Sequence, residues 1–304
     1  MSDAQLPNWF IPKFQDEVAL RAQQRDRRLG GAVSSGGMFV GDYVYFPRIG
    51  QVEFYDAVRM SQIAFANTSQ DWINFHCKPK FAQFGIWDPD KGKLSISAAA
   101  EYAQVLVAAA NRAEDKLIVD ALYNAVANGV QGVDASNTNQ GAAETIATLG
   151  DYNTTMGLDL IAQAVSTLGT NEMFEGEELI LVTPFKNKVQ NSLDPYKVLS
   201  NVNDTDLPWS GVRHITYERL YDNNGATIVP ATATGVDCYL FARSAVVSDQ
   251  NNDMTDINER WGIALTDVIG KWFQAGAGVR EPKGVLRLKS KYNFNIARTT
   301  SPFS

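Results

Sequence analysis

The clearest pattern along the chain runs from Ser97 to about Ala127, where apolar residues return every three or four positions. Tyr102, Leu106, Ala109, Ala113, Leu117 and Ala121 form one stripe, with Ile118, Leu122 and Ala125 beside it. No proline interrupts the run. Ser97 can serve as its N-cap, Glu101 lies in the first turn where the helix dipole favours a carboxylate, and Asn128-Gly129 is a stop signal. The spacing predicts one helix of roughly 30 residues, about 45 Å long. Its stripe is expected against a sheet formed partly by residues 279–290.

Ahead of this helix the pattern changes to strands. Tyr43-Val44-Tyr45-Phe46 is an aromatic and β-branched run that Pro47 and Gly50 are expected to close. Asp71 to Phe84 mixes Trp72, Phe75, Phe81 and Phe84 with polar residues, up to the turn Trp87-Asp88-Pro89-Asp90. A polar stretch, Asp56 to Gln70, separates the two runs. The expectation is a long hairpin whose edges and aromatics only a neighbour would cover. Residues 1–37 read as an arm, helical from Phe14 to Leu29 and loose over Ser34-Ser35-Gly36-Gly37. Arg21, Arg25, Arg27 and Arg28 stand there among Asp16, Glu17 and Asp26. Apolar residues are too sparse for the arm to bury itself, so it is expected to lie on something else.

Beyond the helix, residues 129–155 are rich in Gly, Ala, Asn and Thr and read as a surface loop. Leu158 to Leu168 suggests a helix, and Glu178-Leu179-Ile180-Leu181-Val182 a buried strand. Thr183-Pro184 reads as a cap and first position of another helix, with Phe185, Val189 and Leu193 on one face. Strands are predicted at His214–Leu220 and Cys238–Val247, and Val279 to Leu288 alternates into a closing strand. The class is α+β.

Composition narrows the function. A chain of 304 residues needs no disulfide or metal to hold its core. With a net charge of −7 it is no phosphate-neutralising coat for DNA. The two cysteines, Cys77 and Cys238, stand far apart and read as free thiols. The start Met1-Ser2-Asp3-Ala4-Gln5 lacks the marks of a signal peptide, and no apolar run approaches a membrane span, so a soluble protein made in the cytoplasm is expected.

Candidate chemistry is sparse. His76 and His214 are the chain's histidines, without a G-x-S-x-G elbow, and both read as structural. Cys77 beside His76 lacks the spaced partners zinc requires and reads as a half-buried strand residue. Asp249-x-Asn251-x-Asp253 starts like a calcium loop but has Met254 and Arg260 where glycine and glutamate belong, so a solvated acidic loop is expected. Gly276-Ala277-Gly278 fails as a dinucleotide loop at Glu281. No catalytic residue, cofactor or metal site is assigned. The arginines at 21–28 could touch DNA, but pairing with a neighbouring subunit or solvation is favoured.

The order of these elements, with several short stretches, resembles the major capsid proteins of tailed bacteriophages, the Hong Kong 97-like fold. Gly41-Asp42-Tyr43-Val44-Tyr45-Phe46-Pro47-Arg48-Ile49-Gly50 looks like the strand leading to that family's extended loop. Phe84-Gly85-Ile86-Trp87-Asp88-Pro89-Asp90 resembles the approach to its spine helix, and Asn111-Arg112-Ala113-Glu114-Asp115-Lys116-Leu117-Ile118 the centre of that helix. Leu179-Ile180-Leu181-Val182-Thr183-Pro184 looks like its axial strand and helix. Gly276 to Arg280, with Gly284-Val285-Leu286, resembles its closing strands.

The resemblance implies an N-terminal arm at 1–37, an extended β-hairpin loop at 38–93 and a peripheral domain with the spine helix at 94–130. It places an axial domain at 131–261 and peripheral closing strands at 262–304. It implies hexamers and pentamers of a homo-oligomer forming an icosahedral virion shell around double-stranded DNA, without sequence-specific binding and without a membrane. A separate scaffolding protein, a portal protein and, optionally, a decoration protein are its implied partners, with assembly in the host cytoplasm. Inter-subunit contacts are expected at Arg21, Arg25, Arg27, Arg28, Phe54, Tyr55 and Arg59. Some relatives weld subunits through a loop lysine; none occurs here between Lys13 and Lys78, so no isopeptide bond is expected. A bacterial encapsulin-type compartment is the second reading, and an unrecognised enzyme the third.

Overall fold

The structure is a computed structural model and describes residues 26–49, 70–87, 98–134, 138–171, 177–192, 212–227, 233–259 and 266–292. The chain divides into two compact units. One comprises Met1–Arg27, Cys77–Lys116 and Gln250–Ala275; the other comprises Arg28–His76, Leu117–Asp249 and Gly276–Ser304.

In chain order the first elements are strands β1 Met38–Val40, β2 Tyr43–Ile49, β3 Gln70–His76 and β4 Lys78–Trp87, then helix α1 Ala98–Asn128. Strands β5 Val130–Val133, β6 Asn139–Glu144 and β7 Ala147–Gly150 follow, then helix α2 Leu158–Thr170. Strand β8 Leu179–Thr183, helix α3 Phe185–Ser192, and strands β9 Val212–Thr216 and β10 Gly235–Ala242 come next. The last are β11 Val246–Glu259, β12 Thr266–Val279 and β13 Val285–Lys291. They form sheets of order β1-β2-β3-β5-β6, β7-β13-β10-β8-β9 and β11-β12-β4.

The β7-β13-β10-β8-β9 sheet centres the larger unit. Every residue of β8 and β10 is buried. Their near-continuous apolar runs, Leu179–Val182 and Cys238–Ala242, are what a strand covered on both faces requires. Ile118, Val119 and Leu122 of α1 and Ile161, Ala164 and Leu168 of α2 belong to the same hydrophobic core. Each such buried side chain contributes about 1.5–3 kcal/mol relative to exposure.

Helix α1 is unbroken, as its spacing predicts, and Gly129 ends it with φ 74° while donating its N–H to the Ala125 carbonyl. The stripe needs correction. Ile118, Val119 and Leu122 are fully buried, whereas Ala109, Ala113, Leu117 and Ala121 are only partly so. Both lines satisfy the three-and-four rule, and the bulkier one takes the core because alanine methyls cannot fill it.

Four other expectations give way. Residues 129–155 carry β5, β6 and β7 rather than one loop, held through backbone ladders that need no apolar alternation. Pro47 does not close β2 but lies inside it, opposite Trp72. Strand β1 covers only Tyr43–Tyr45, so at Pro47 one side of β2 is unpaired by β1 and a residue without an N–H is tolerated. The end of the arm packs on its own subunit. Leu29, Ala32 and Val33, around a 3-10 turn at Gly30–Ala32, join the core, and the carboxylate of Asp249 accepts the N–H groups of Gly36 and Gly37 at 3.1 and 2.8 Å. Asp249 itself, with Asn251 and Asp253, sits in β11 and not in a loop.

Candidate functional site

The polar groups inside the larger unit bind the fold together. Asp237, fully buried in β10, stands opposite Lys289 of β13, two residues from Arg287. Arg287 donates through Nη2 to Asp237 Oδ2 at 2.6 Å and to the Tyr152 hydroxyl at 2.7 Å, while that hydroxyl donates to Asp237 Oδ1 at 2.7 Å. Burial works to lower the Arg287 guanidinium, but the hydrogen bond and charge of Asp237 outweigh it and hold it above its ordinary value. Burial, then the hydrogen bond to Asp237, pushes the Tyr152 phenol up. Both oxygens of Asp237 are met, which makes it a structural anchor, while Arg287 Nε is buried without a hydrogen bond among the described residues.

A second cluster ties β2, β3 and β6. Arg48 grips Asp71 with Nε and Nη2 at 2.9 and 2.6 Å, and Nη2 lies 2.8 Å from Glu144 Oε1. The hydrogen bond to Asp71, working against burial, raises the Arg48 pKa. Gly132 of β5 passes so close that a Cβ there would meet Asp71 Oδ2 at 2.0 Å.

The histidines show no catalytic setting. His214 Nε2 hydrogen-bonds the hydroxyl of Thr183, and exposed His76 meets the edge of Tyr43 at 5.1 Å. His76 borders a cavity of about 350 Å³, whose other lining includes Asn74, Asn124, Asn128 and Gln131 but no carboxylate, serine or thiol. Thr183 is therefore not the cap of α3. The N–H of Phe185 is met instead by Glu218 Oε1 at 2.7 Å, a long-range partner that the local sequence does not announce. Phe185, expected to share one face of α3 with Val189 and Leu193, is 60% exposed. Cys77 and Cys238 are in no disulfide and are fully buried, Cys77 between β3 and β4 rather than half-buried in a strand. Among the described residues no cluster of three His, Cys, Asp or Glu could hold a metal, and no helix is long and apolar enough to cross a membrane.

Of the expected contact residues, Arg21, Arg25, Phe54, Tyr55 and Arg59 lie outside the described residues. Arg27 and Arg28 have partners in their own chain: Arg27 Nε lies 2.9 Å from Glu114 Oε2, and Arg28 Nη1 donates to the Thr216 carbonyl at 2.9 Å. The sequence reading expected uncovered aromatics in residues 38–93 but did not single out Met38, Val40, Ile49 or Trp272 as turned outward. Met38, Val40, Tyr43 and Ile49 are exposed on β1 and β2, and Phe81 of β4 and Trp272 of β12 on the smaller unit. Met38, Val40, Tyr45, Trp72 and Asp134 line a hollow of about 230 Å³. Exposed apolar groups on strand surfaces are the kind of feature that marks a protein contact.

A family model described as phage capsid protein matches residues 6–291. The chain belongs to the phage capsid protein family. This capsid protein shares its fold with solved phage capsids. The capsid protein of cyanophage P-SCSP1u is 14% identical and covers 92% of both chains with a TM-score of 0.65. That of cyanophage Pam1 is 12% identical, over 97% of this chain and 100% of the other, with a TM-score of 0.64. That of Ralstonia phage GP4 is 11% identical, over 99% of each chain, with a TM-score of 0.62. The expected Hong Kong 97-like fold is thus the observed one. The protein is a major capsid protein, the subunit that forms the head shell of a tailed phage. A stretch of 101 residues is also 31% identical to the dihydrolipoyllysine-residue acetyltransferase component of the pyruvate dehydrogenase complex of Pseudomonas aeruginosa. It covers 33% of this chain and spans 18% of that enzyme's length, too little to carry an activity across.

Proposed function

We propose that this capsid protein assembles as hexamers and pentamers into an icosahedral head around double-stranded DNA, in the host cytoplasm, with a separate scaffolding protein, a portal protein and an optional decoration protein. The family match across residues 6–291 carries the reading. Physical features agree with it. A net charge of −7 suits a wall that encloses nucleic acid without coating it, and the outward apolar residues suit contacts between copies. Arg21, Arg25, Phe54, Tyr55 and Arg59 are proposed to face neighbouring subunits, with Arg27 and Arg28 serving the subunit's own fold.

The test is to produce the chain together with its scaffolding protein and to image the product. Closed icosahedral particles are expected. Dispersed subunits alone would overturn the reading, and small shells filled with cargo protein would favour the compartment alternative. Cohesion is proposed to be non-covalent, because Arg48 and Arg59 stay protonated and are poor nucleophiles. Particles boiled in detergent with reductant should give one band near 33.4 kDa, whereas a ladder of multimers would show a weld by another lysine.

A further inference from the structure

We infer that the outward face of the β4–β12 ribbon is a contact surface for a second copy of this chain, centred on Phe81 and Trp272. The inference rests on the capsid reading and adds to it a named surface. The two strands are antiparallel, with Phe81 opposite Trp272, Pro79 opposite Gln274 and Gln83 opposite Gly270. Directly opposed residues share a face, and alternate residues along each strand share it too. One face therefore carries Pro79, Phe81, Gln83, Gly270, Trp272 and Gln274, without a single charge. The other carries Lys78, Lys80 and Lys271 together with Phe273 and Ala275.

Burial shows which face is turned inward. Phe273 and Ala275 are 4% and 2% exposed, while Phe81 and Trp272 are 80% and 37% exposed. The lysines lie on the face that Phe273 and Ala275 share, with Lys78 exposed and Lys80 and Lys271 half-buried, and the outer face shows aromatics and amides. A lone subunit in water gains nothing from that exposure, since aromatic side chains of this size contribute most when covered. Strand β4 is also the edge of its sheet. Lys78, Pro79 and Lys80 blunt the beginning of that edge, but Phe81 to Gly85 carry neither charge nor proline.

Charge selects the occupant. A polyanion such as DNA would seek lysines, and the ribbon's three lysines lie on the opposite face. Two copies of a chain with net charge −7 repel one another unless they meet through paired or uncharged surface, and this face is uncharged. Trp and Phe set among amides is also the composition found at the centre of protein contacts, where aromatics are enriched and charges depleted.

The native cysteines make the test clean, because both are fully buried. Phe81→Cys introduces an accessible thiol, and its reaction with a maleimide is followed in dispersed subunits and in particles assembled with the scaffolding protein. Fast labelling of subunits and roughly tenfold or greater protection in particles is expected, as a water-excluded contact demands. A variant that stays folded yet fails to assemble, while the unmodified chain assembles, also supports the contact. Particles in which the introduced thiol labels as fast as in free subunits overturn the inference and leave the capsid reading standing. Protection that appears only after another purified protein is added to particles likewise overturns it, and names a different partner. If the unmodified chain yields no particles, the capsid reading fails first.

Discussion

In strands β8 and β10 every side chain is enclosed, and the apolar run is almost continuous. In the β4–β12 ribbon apolar residues are sparser, and two of the largest, Phe81 and Trp272, look outward. Both stretches form strands. What separates them is which side chains share a face with which. The first pattern is finished by folding, and the second is finished only when another molecule arrives.

Substitutions can sharpen that contrast, beginning where folding does all the work. Leu240→Asp, in the middle of β10, should leave no soluble folded subunit, because an unpaired carboxylate there costs on the order of 5 kcal/mol or more; solubility and circular dichroism would show it. Arg287→Ala strands the fully buried Asp237 carboxylate and should lower stability by about 3–5 kcal/mol in urea unfolding. At Gly278, in the last residues of β12, a Cβ would fall 1.7 Å from the Phe75 ring. Gly278→Ala should therefore cost about 1–3 kcal/mol, and adding Phe75→Ala should recover part of that loss of melting temperature. Phe81→Ser should change unfolding of the isolated subunit by no more than about 0.5 kcal/mol, while particle yield falls sharply. A large stability loss from Phe81→Ser would collapse the contrast between the two regions.

Much of the fold is written in local pattern. The absence of proline and the Asn128-Gly129 stop predict α1 to within a residue, and Leu179 to Val182 can hardly be anything but a covered strand. Other parts are set by partners far along the chain. Strands β5 to β7 are rich in Gly, Asn and Thr and exist because neighbouring backbones offer hydrogen bonds, which composition does not record. The cap of α3 comes from Glu218, and the anchor for Gly36 and Gly37 from Asp249. The candidate surfaces were legible only in outline. Trp72 and Phe81 stood out as aromatics in need of cover, but Trp272 becomes part of a surface only through its register with Phe81. The arginine cluster was legible as charge, while the partners of Arg27 and Arg28, Glu114 and the Thr216 carbonyl, lie far away in sequence.

The position of β13 carries a lesson about timing. It is late in the chain yet lies inside its sheet, with β10 on one side and β7 on the other. A ribosome making this protein releases Ala147 long before Leu286, the residue it must pair with, has been translated. Until then β7 has no place in the sheet, and β10 keeps one flank open to water and to other nascent chains. Such distant pairings slow folding and lengthen the period in which chaperones are needed. They also act as a completeness check, since a chain that stops before Val285 cannot close its core, and an assembly of identical copies is spared its defective ones at the source.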